Sequence, residues 1–173
     1  MSSIGSLFKL TELIPPPDYP VGGSGDWKRF ASANGFWPPE DYRMMIREYG
    51  VGTFGDWISL LDPFDHAKSF LGVVDGECRV MRDSRNKAPG AYANWPLWPE
   101  PGGMMPWART NTGDHVCWHT DGRPEGWTTR FFGAGSCAEF PMSTVEFLVG
   151  LAQKSLAGAN FALNAQSFLP AGS

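Results

Sequence analysis

The stretch MPWARTNTGDHVCWHTDGRPEGWTTRFF, residues 105–132, predicts three short antiparallel strands joined by tight turns. Its central part alternates polar and apolar residues, which is the period of a half-buried strand, and Gly-containing clusters interrupt the pattern. We assign strands to 105–110, 114–120 and 126–132, with turns at 111–114 and 121–122. Because turns this short join antiparallel strands, the stretch indicates an antiparallel meander at the centre of the fold.

The alternation in the middle strand, residues 114–120, predicts which of its two faces packs into the core. Successive side chains of a strand point to opposite faces, so Val116 and Trp118 share one face and His115 and His119 share the other. We expect Val116 and Trp118 to be buried, and His115 and His119 to face outward or to line a groove.

Helices are predicted both before and after this meander in the sequence. Ser143-Thr144-Val145-Glu146 is a capping box, which marks the start of a final helix. Pro38-Pro39-Glu40-Asp41 favours another helix start, and Gly50 marks its end. We also expect short helices from Ser24 to Asn34 and from Asp62 to about Leu71, a strand within 53–61 and a solvated loop over 75–87.

The whole pattern predicts a single α+β domain with helices packed on a mostly antiparallel central sheet. A chain of 173 residues, 42% of them hydrophobic, can bury one full core. The prolines between Pro15 and Pro20 argue against a helix near the N-terminus. The expected divisions are a proline-rich lead-in over 1–23, the domain over 24–160 and a C-terminal tail over 161–173.

The formal net charge of −4 argues against two classes of partner. Proteins that bind nucleic acid or anionic membranes carry a basic excess, because phosphate groups attract it. We therefore expect no nucleic acid and no membrane as partner, and an acidic chain fits a basic protein better. The sequence has no run of about 18 apolar residues, and we expect no signal peptide because no positive cluster precedes an apolar run at the N-terminus. Its three cysteines follow no disulfide framework, which favours the cytoplasm.

His115, Cys117 and His119 are the strongest candidates for metal chemistry. Their spacing places them on one face of a strand, and His and Cys are zinc ligands. His66 and Asp114 are the further candidates of suitable type. Zinc-binding sequences usually repeat a paired spacing, and this chain has no second pair. We therefore predict no metal and no other cofactor, with a small metal-dependent hydrolase as the alternative.

Motifs for other catalytic chemistry are absent from the sequence. No serine lies in a Gly-x-Ser-x-Gly elbow, and the glycines of 50–55 lack the lysine of a phosphate-binding loop. The carboxylate pairs Asp62 with Asp65 and Asp121 with Glu125 are explained by a helix cap and a turn. We expect no catalytic residues and a protein that is not an enzyme.

Several motifs, taken in order, resemble those of a known superfamily. They are Trp27, GFWPPEDYR at 35–43, YGVGTFGD at 49–56, LLDP at 60–63, WARTNTGD at 107–114, VCW at 116–118 and Trp127. Their order and spacing over about residues 24–152 resemble the SUKH superfamily, which includes the Smi/Knr-like cell-wall regulators of fungi and many bacterial immunity proteins. Trp37 stands where a leucine is usual, and the proline-rich stretch 89–106 is longer than expected for the family.

The resemblance implies a compact α+β domain and, for a bacterial member, an immunity protein. Such a protein binds and neutralises a cognate polymorphic toxin domain, and the resemblance carries no catalytic residue over to this chain. A regulatory scaffold like the fungal relatives is the alternative. The oligomeric state is left open.

Acidic side chains predict where a basic toxin would bind, because uncompensated negative charge attracts it. Residues 56–65 contain no Lys or Arg, and residues 114–125 contain one Arg. The candidate toxin-binding residues are Asp56, Asp62, Asp65, Asp114, Asp121 and Glu125. Asp114 and Asp121 belong to opposite ends of one predicted strand, so they cannot share one small patch. The aromatic, proline-rich segment 92–107 is the alternative surface.

Overall fold

The structure, a computed structural model, describes residues 2–158 and 161–173, and the expected domain end at residue 160 lies outside them. The described residues form one α+β domain, as predicted. Its helices are α1 Ser3–Leu13, α2 Trp27–Asn34, α3 Glu40–Tyr49, α4 Phe70–Lys87 and α5 Thr144–Gln153. Its strands are β1 Gly52–Phe54, β2 Ile58–Leu60, β3 Met104–Thr110, β4 His115–His119, β5 Thr128–Phe132, β6 Ala138–Phe140 and β7 Phe168–Pro170. Within this described part, no helix has the length and apolarity needed to cross a membrane.

The strands form one sheet in the order β6-β5-β4-β3-β2-β1-β7. Neighbouring strands are antiparallel throughout. The predicted meander is confirmed, because β4 pairs with β3 on one side and with β5 on the other. The expectation of a mostly antiparallel central sheet is therefore correct.

One face of the sheet carries an aromatic core beneath α3 and α5. Val116 and Trp118 are fully buried there, as predicted. The Trp118 ring centroid lies 4.9 Å from that of Tyr42 in α3. The indole Nε1 of Trp118 donates a hydrogen bond to Oγ1 of Thr144 at 2.8 Å, in the first turn of α5. The predicted capping box of Ser143 and Glu146 is present at this helix start.

The opposite face of the sheet lies beneath α4. The structure of this region shows that three predictions were wrong. Residues 75–87 are helical, not a solvated loop, and the helix begins at Phe70, not at Asp62, because Ser69 supplies the N-cap. His115 does not face outward, since it is only 3% exposed and pairs with Glu77 of α4. The buried stripe of this helix was concealed by the charged residues between its members, Phe70, Val74, Cys78 and Met81.

The segment 53–61 folds as a hairpin, not as a continuous strand. Gly55 and Asp56 adopt φ values of 57° and 54°, and this left-handed backbone reverses the chain between β1 and β2. Asp is one of the residues that tolerates such a conformation, so Asp56 is suited to the turn.

Both terminal segments contribute regular structure. The N-terminal segment contains α1, a helix that was not expected, because the prolines begin only after its last turn. Leu10 and Ile14 are fully buried, and the hydroxyl of Tyr49 donates to the carbonyl oxygen of Ile14 at 2.5 Å. At the other end, β7 pairs with β1 and Leu163 is buried.

Candidate functional site

Two of the predicted acidic residues, Asp56 and Asp114, lie in neighbouring turns at one end of the sheet. The side-chain amide of Asn111, in the β3–β4 turn, donates to the backbone carbonyl of Asp56 at 2.8 Å. The carboxylate of Asp114 accepts from the hydroxyl of Thr112 at 3.3 Å. Partial burial raises the pKa of Asp114 above its ordinary value.

Asp62 and Asp65 lie in the connection between β2 and α4. Oδ1 of Asp62 accepts from the amide of Phe64 at 2.8 Å, and Oδ1 of Asp65 accepts from the amides of Ala67 and Lys68. The hydrogen bonds from these two backbone amides hold the pKa of the exposed Asp65 carboxyl below its ordinary value. Both residues therefore stabilise a turn, while the Asp65 carboxylate stays ionised at the surface.

Asp121 and Glu125 lie beyond the other end of β4 from Asp114. This follows from the register, in which His119 at that end of β4 pairs with Met104 and Thr128. The six acidic residues consequently occupy separate places and do not form one continuous patch. Their role in binding a toxin stays a prediction.

Two of the candidate metal ligands, His115 and Cys117, are buried. Nε2 of His115 lies 2.8 Å from Oε2 of Glu77, and the guanidinium of Arg109 donates to Oε1 of the same carboxylate at 3.1 Å. Cys117 is fully buried, and this burial raises the pKa of its thiol. Over residues 2–158 and 161–173, no group of three or more His, Cys, Asp or Glu side chains is placed to hold a metal ion.

The alternative surface, segment 92–107, is largely involved in packing. The Tyr92 ring stacks on Phe132 with 4.7 Å between centroids, and the Arg130 guanidinium lies 4.6 Å from the centroid of Trp95. Trp107 is fully buried. These contacts hold part of the segment against β5, while another part, from Trp98 to Gly102, lines a cavity of about 350 Å³.

A cleft of about 810 Å³ lies between segment 18–25 and α3, and it is here termed the α3 cleft. Its volume lies in the range of clefts that bind ligands or anchor side chains of a partner. The side chains that give it chemical character are Tyr19, Trp27, Glu40, Arg43, Met44 and Arg47.

Close glycine packing shapes the α3 cleft. Gly23 is buried, and a Cβ atom on it would lie 2.9 Å from the carbonyl oxygen of Arg47. A Cβ atom on Gly50 would lie only 2.3 Å from the carbonyl oxygen of Val21, which accepts from the amide of Val51 at 2.7 Å. Gly23 and Gly50 therefore let segment 18–25 lie directly against the end of α3.

The α3 cleft exposes residue types that are common at protein interfaces. Tyr19 is 88% exposed at the cleft. Trp37 is outside the cleft lining but contacts Arg43 of that lining, and it is 43% exposed. The Arg43 guanidinium lies 5.3 Å from the Trp37 ring centroid and donates to the carbonyl of Pro38 at 3.0 Å. Sequence reasoning missed this site because its two walls come from a presumed lead-in and from the outer face of a helix.

Comparison with known proteins identifies no family for this chain. No family model matches it, and no solved structure matches it. A stretch of 60 residues is 37% identical to part of the 1,4-alpha-glucan branching enzyme of Rubrobacter xylanophilus. That stretch covers 31% of this chain and 8% of the enzyme, so it carries no argument about the activity of this chain.

Proposed function

We propose that this protein is a non-catalytic immunity protein of the cytoplasm that binds and neutralises a cognate toxin domain. The observation that carries the proposal is the α3 cleft, where Tyr, Trp, Met and Arg side chains meet at one concave surface. These residue types are enriched in protein–protein interfaces, and Tyr, Trp and Arg dominate their binding energy.

The positions of the motif residues support a binding function at the surface. Tyr42, Trp107 and Trp118, which carry much of the SUKH resemblance, are fully buried and contact one another through their rings. Residues of this kind maintain a common fold, while the exposed residues are free to match different partners. A family of immunity proteins needs this division, because each member must recognise its own toxin.

The charge of the protein supports a basic partner. The net charge is −4, and Asp56, Asp65, Asp121 and Glu125 are exposed on turns. Negative turns of this kind increase the rate at which a basic protein is captured, whereas buried aromatic anchors slow its release. We assign the first role to the acidic turns and the second to the α3 cleft.

The experiment that tests this function begins with the neighbouring gene, which for an immunity protein should encode a toxin, and uses the toxin domain found there. The purified domain and this protein should form a stable complex in titration calorimetry, and co-expression should restore growth of cells that express the toxin. A toxin domain that neither binds this protein nor is neutralised by it would contradict the proposal.

The same assay tests the α3 cleft with surface substitutions. Tyr19→Ala should weaken the complex at least about tenfold, because exposed Tyr anchors become buried on binding. Arg79→Ala is the matched control, since Arg79 is an exposed residue of α4 paired only with Asp75 of the same helix among the described residues. Equal affinities of both variants would place the binding surface elsewhere.

A further inference from the structure

Another cavity lies between the first turns of α1 and α5 and the connection from β4 to β5. It encloses about 250 Å³ and is here termed the Ser6 pocket. Hydroxyl and carboxylate groups supply its polar lining, from Ser3, Ser6, Glu125, Thr128, Ser143 and Glu146. None of the described residues that line it is a Lys or an Arg.

The hydroxyl of Ser6 is not explained by the fold. Ser6 is 1% exposed, and its Oγ has no hydrogen-bond partner among the described residues. The backbone amide of Ser6 donates to the carbonyl of Ser2 at 2.9 Å, so the helix itself does not need the hydroxyl. A buried hydroxyl without a partner destabilises a protein, and alanine is a better helix former at such a position. The unpartnered hydroxyl of Ser6 therefore indicates that the Ser6 pocket has a ligand.

The remaining polar groups indicate the charge of that ligand. Glu125 is exposed in the short turn Pro124–Gly126, where its carboxylate adds negative charge at the pocket. The carboxylate of Glu146 accepts from the amide of Ser143 at 3.0 Å and offsets the positive end of the α5 dipole. Hydroxyl and carboxylate oxygens all accept hydrogen bonds, and ammonium and guanidinium groups only donate them.

We propose that the Ser6 pocket receives a lysine or arginine side chain of the partner protein. The inference rests on the proposed function for the identity of that partner. The cationic group enters between Ser6 and Glu125, where Oγ of Ser6 accepts one hydrogen bond and the carboxylate of Glu125 compensates the charge. The pocket then gives a role to Glu125 that is more specific than long-range attraction.

The pocket can be tested without the toxin, using n-butylammonium and ethylguanidinium as probes and n-butanol as the uncharged control. Titration followed by heteronuclear amide spectra should give saturable shifts at Ser6, Thr128 and Ser143 with either cation. Butanol should give none. Absence of saturable shifts with both cations would overturn the proposal.

Two variants identify the groups that hold the cation. Ser6→Ala should weaken probe binding about fivefold, the ratio that corresponds to one lost hydrogen bond, while the Tm stays equal or rises. Glu125→Gln should weaken it by a similar factor at low salt and less at high salt. Ser32→Ala and Glu12→Gln are the matched controls, since both residues are exposed helical positions outside the pocket.

Binding measurements with the toxin domain then test whether its side chain occupies the Ser6 pocket. In the complex, Ser6→Ala and Glu125→Gln should each raise the Kd about fivefold or more. A toxin that binds both variants as tightly as the unchanged protein would overturn the pocket proposal and leave the immunity function intact. Probe binding that depends on Ser6, together with no toxin binding, would instead contradict the immunity function and, with it, the assignment of the cation to that partner.

Discussion

The carboxylate of Asp41 accepts a hydrogen bond from the backbone amide of Val145, with 2.8 Å between Oδ2 and N. The two residues are 104 positions apart in sequence and lie in the first turns of α3 and α5. Oδ1 of Asp41 accepts from the amide of Tyr42 at 2.8 Å, so both oxygens of this buried carboxylate have partners. The hydrogen bond therefore links the first turn of α3 to the first turn of α5.

Asp41→Ala should lower the free energy of unfolding by about 3 kcal/mol, because it leaves the buried amide of Val145 without an acceptor. Asp41→Asn keeps an acceptor and should cost about 1 kcal/mol. Urea unfolding measures both values. Asp83→Ala, at an exposed position of α4, is the control and should stay within about 0.5 kcal/mol of the unchanged protein. An Asp41→Ala protein with an unchanged unfolding midpoint would show that this bond does not stabilise the fold.

Trp118→Ala should cost about 3–5 kcal/mol, because it opens a cavity in the aromatic core and removes the hydrogen bond to Thr144. Trp37→Ala removes the same side chain from a 43% exposed position. That control should cost only about 0.5–1 kcal/mol, the contribution of an exposed contact with Arg43. Thermal and urea unfolding should rank the two variants in this order.

The Glu77–His115 pair should make stability depend on acid pH. The hydrogen bond from His115 lowers the pKa of Glu77 below its ordinary value of 4.5. A carboxyl with a depressed folded-state pKa stabilises the protein above the unfolded-state pKa, and this contribution is lost as the pH falls through the folded-state pKa.

Glu77→Gln should therefore reduce stability near neutral pH and flatten the fall in the free energy of unfolding below pH 4.5. Urea unfolding at a series of pH values measures the slope. Glu100→Gln, at an exposed position, should leave the slope unchanged. A Glu77→Gln slope as steep as that of the unchanged protein would assign the acid sensitivity to other groups.

Charge reversal at Asp56 and Asp65 should slow association with the toxin domain. The effect should be several-fold at low salt and should shrink at high salt, because salt screens exposed charges. Stopped-flow kinetics of Asp56→Lys and Asp65→Lys test this, with Asp56→Asn and Asp65→Asn separating loss of charge from loss of the turn. Unchanged association rates at all salt concentrations would mean that the acidic turns do not guide the partner.

The sequence predicted those elements whose signals are local. The meander from β3 to β5 follows from alternation and turn residues, and the start of α5 follows from its capping box. Each signal lies within a few neighbouring residues, so it could be interpreted before the fold was known.

Other elements depend on contacts between distant segments. The charged residues of α4 indicated a loop, because the burial of Phe70 and Met81 becomes evident only when the helix lies on the sheet. The His115–Glu77 pair joins a strand and a helix 38 residues apart. The α3 cleft and the Ser6 pocket likewise form only when chain segments far apart in sequence meet, which no local pattern indicates.

The two outermost strands, β6 and β7, have three residues each, and β7 ends at Pro170. An open strand edge is a template on which another chain can add a strand, and short edges and proline both obstruct this addition, since proline has no amide hydrogen to donate. The fold is therefore protected against edge-to-edge aggregation into fibres. For the same reason a partner would gain little by extending the sheet, so the proposed recognition should depend on side chains, which can be changed without altering the backbone.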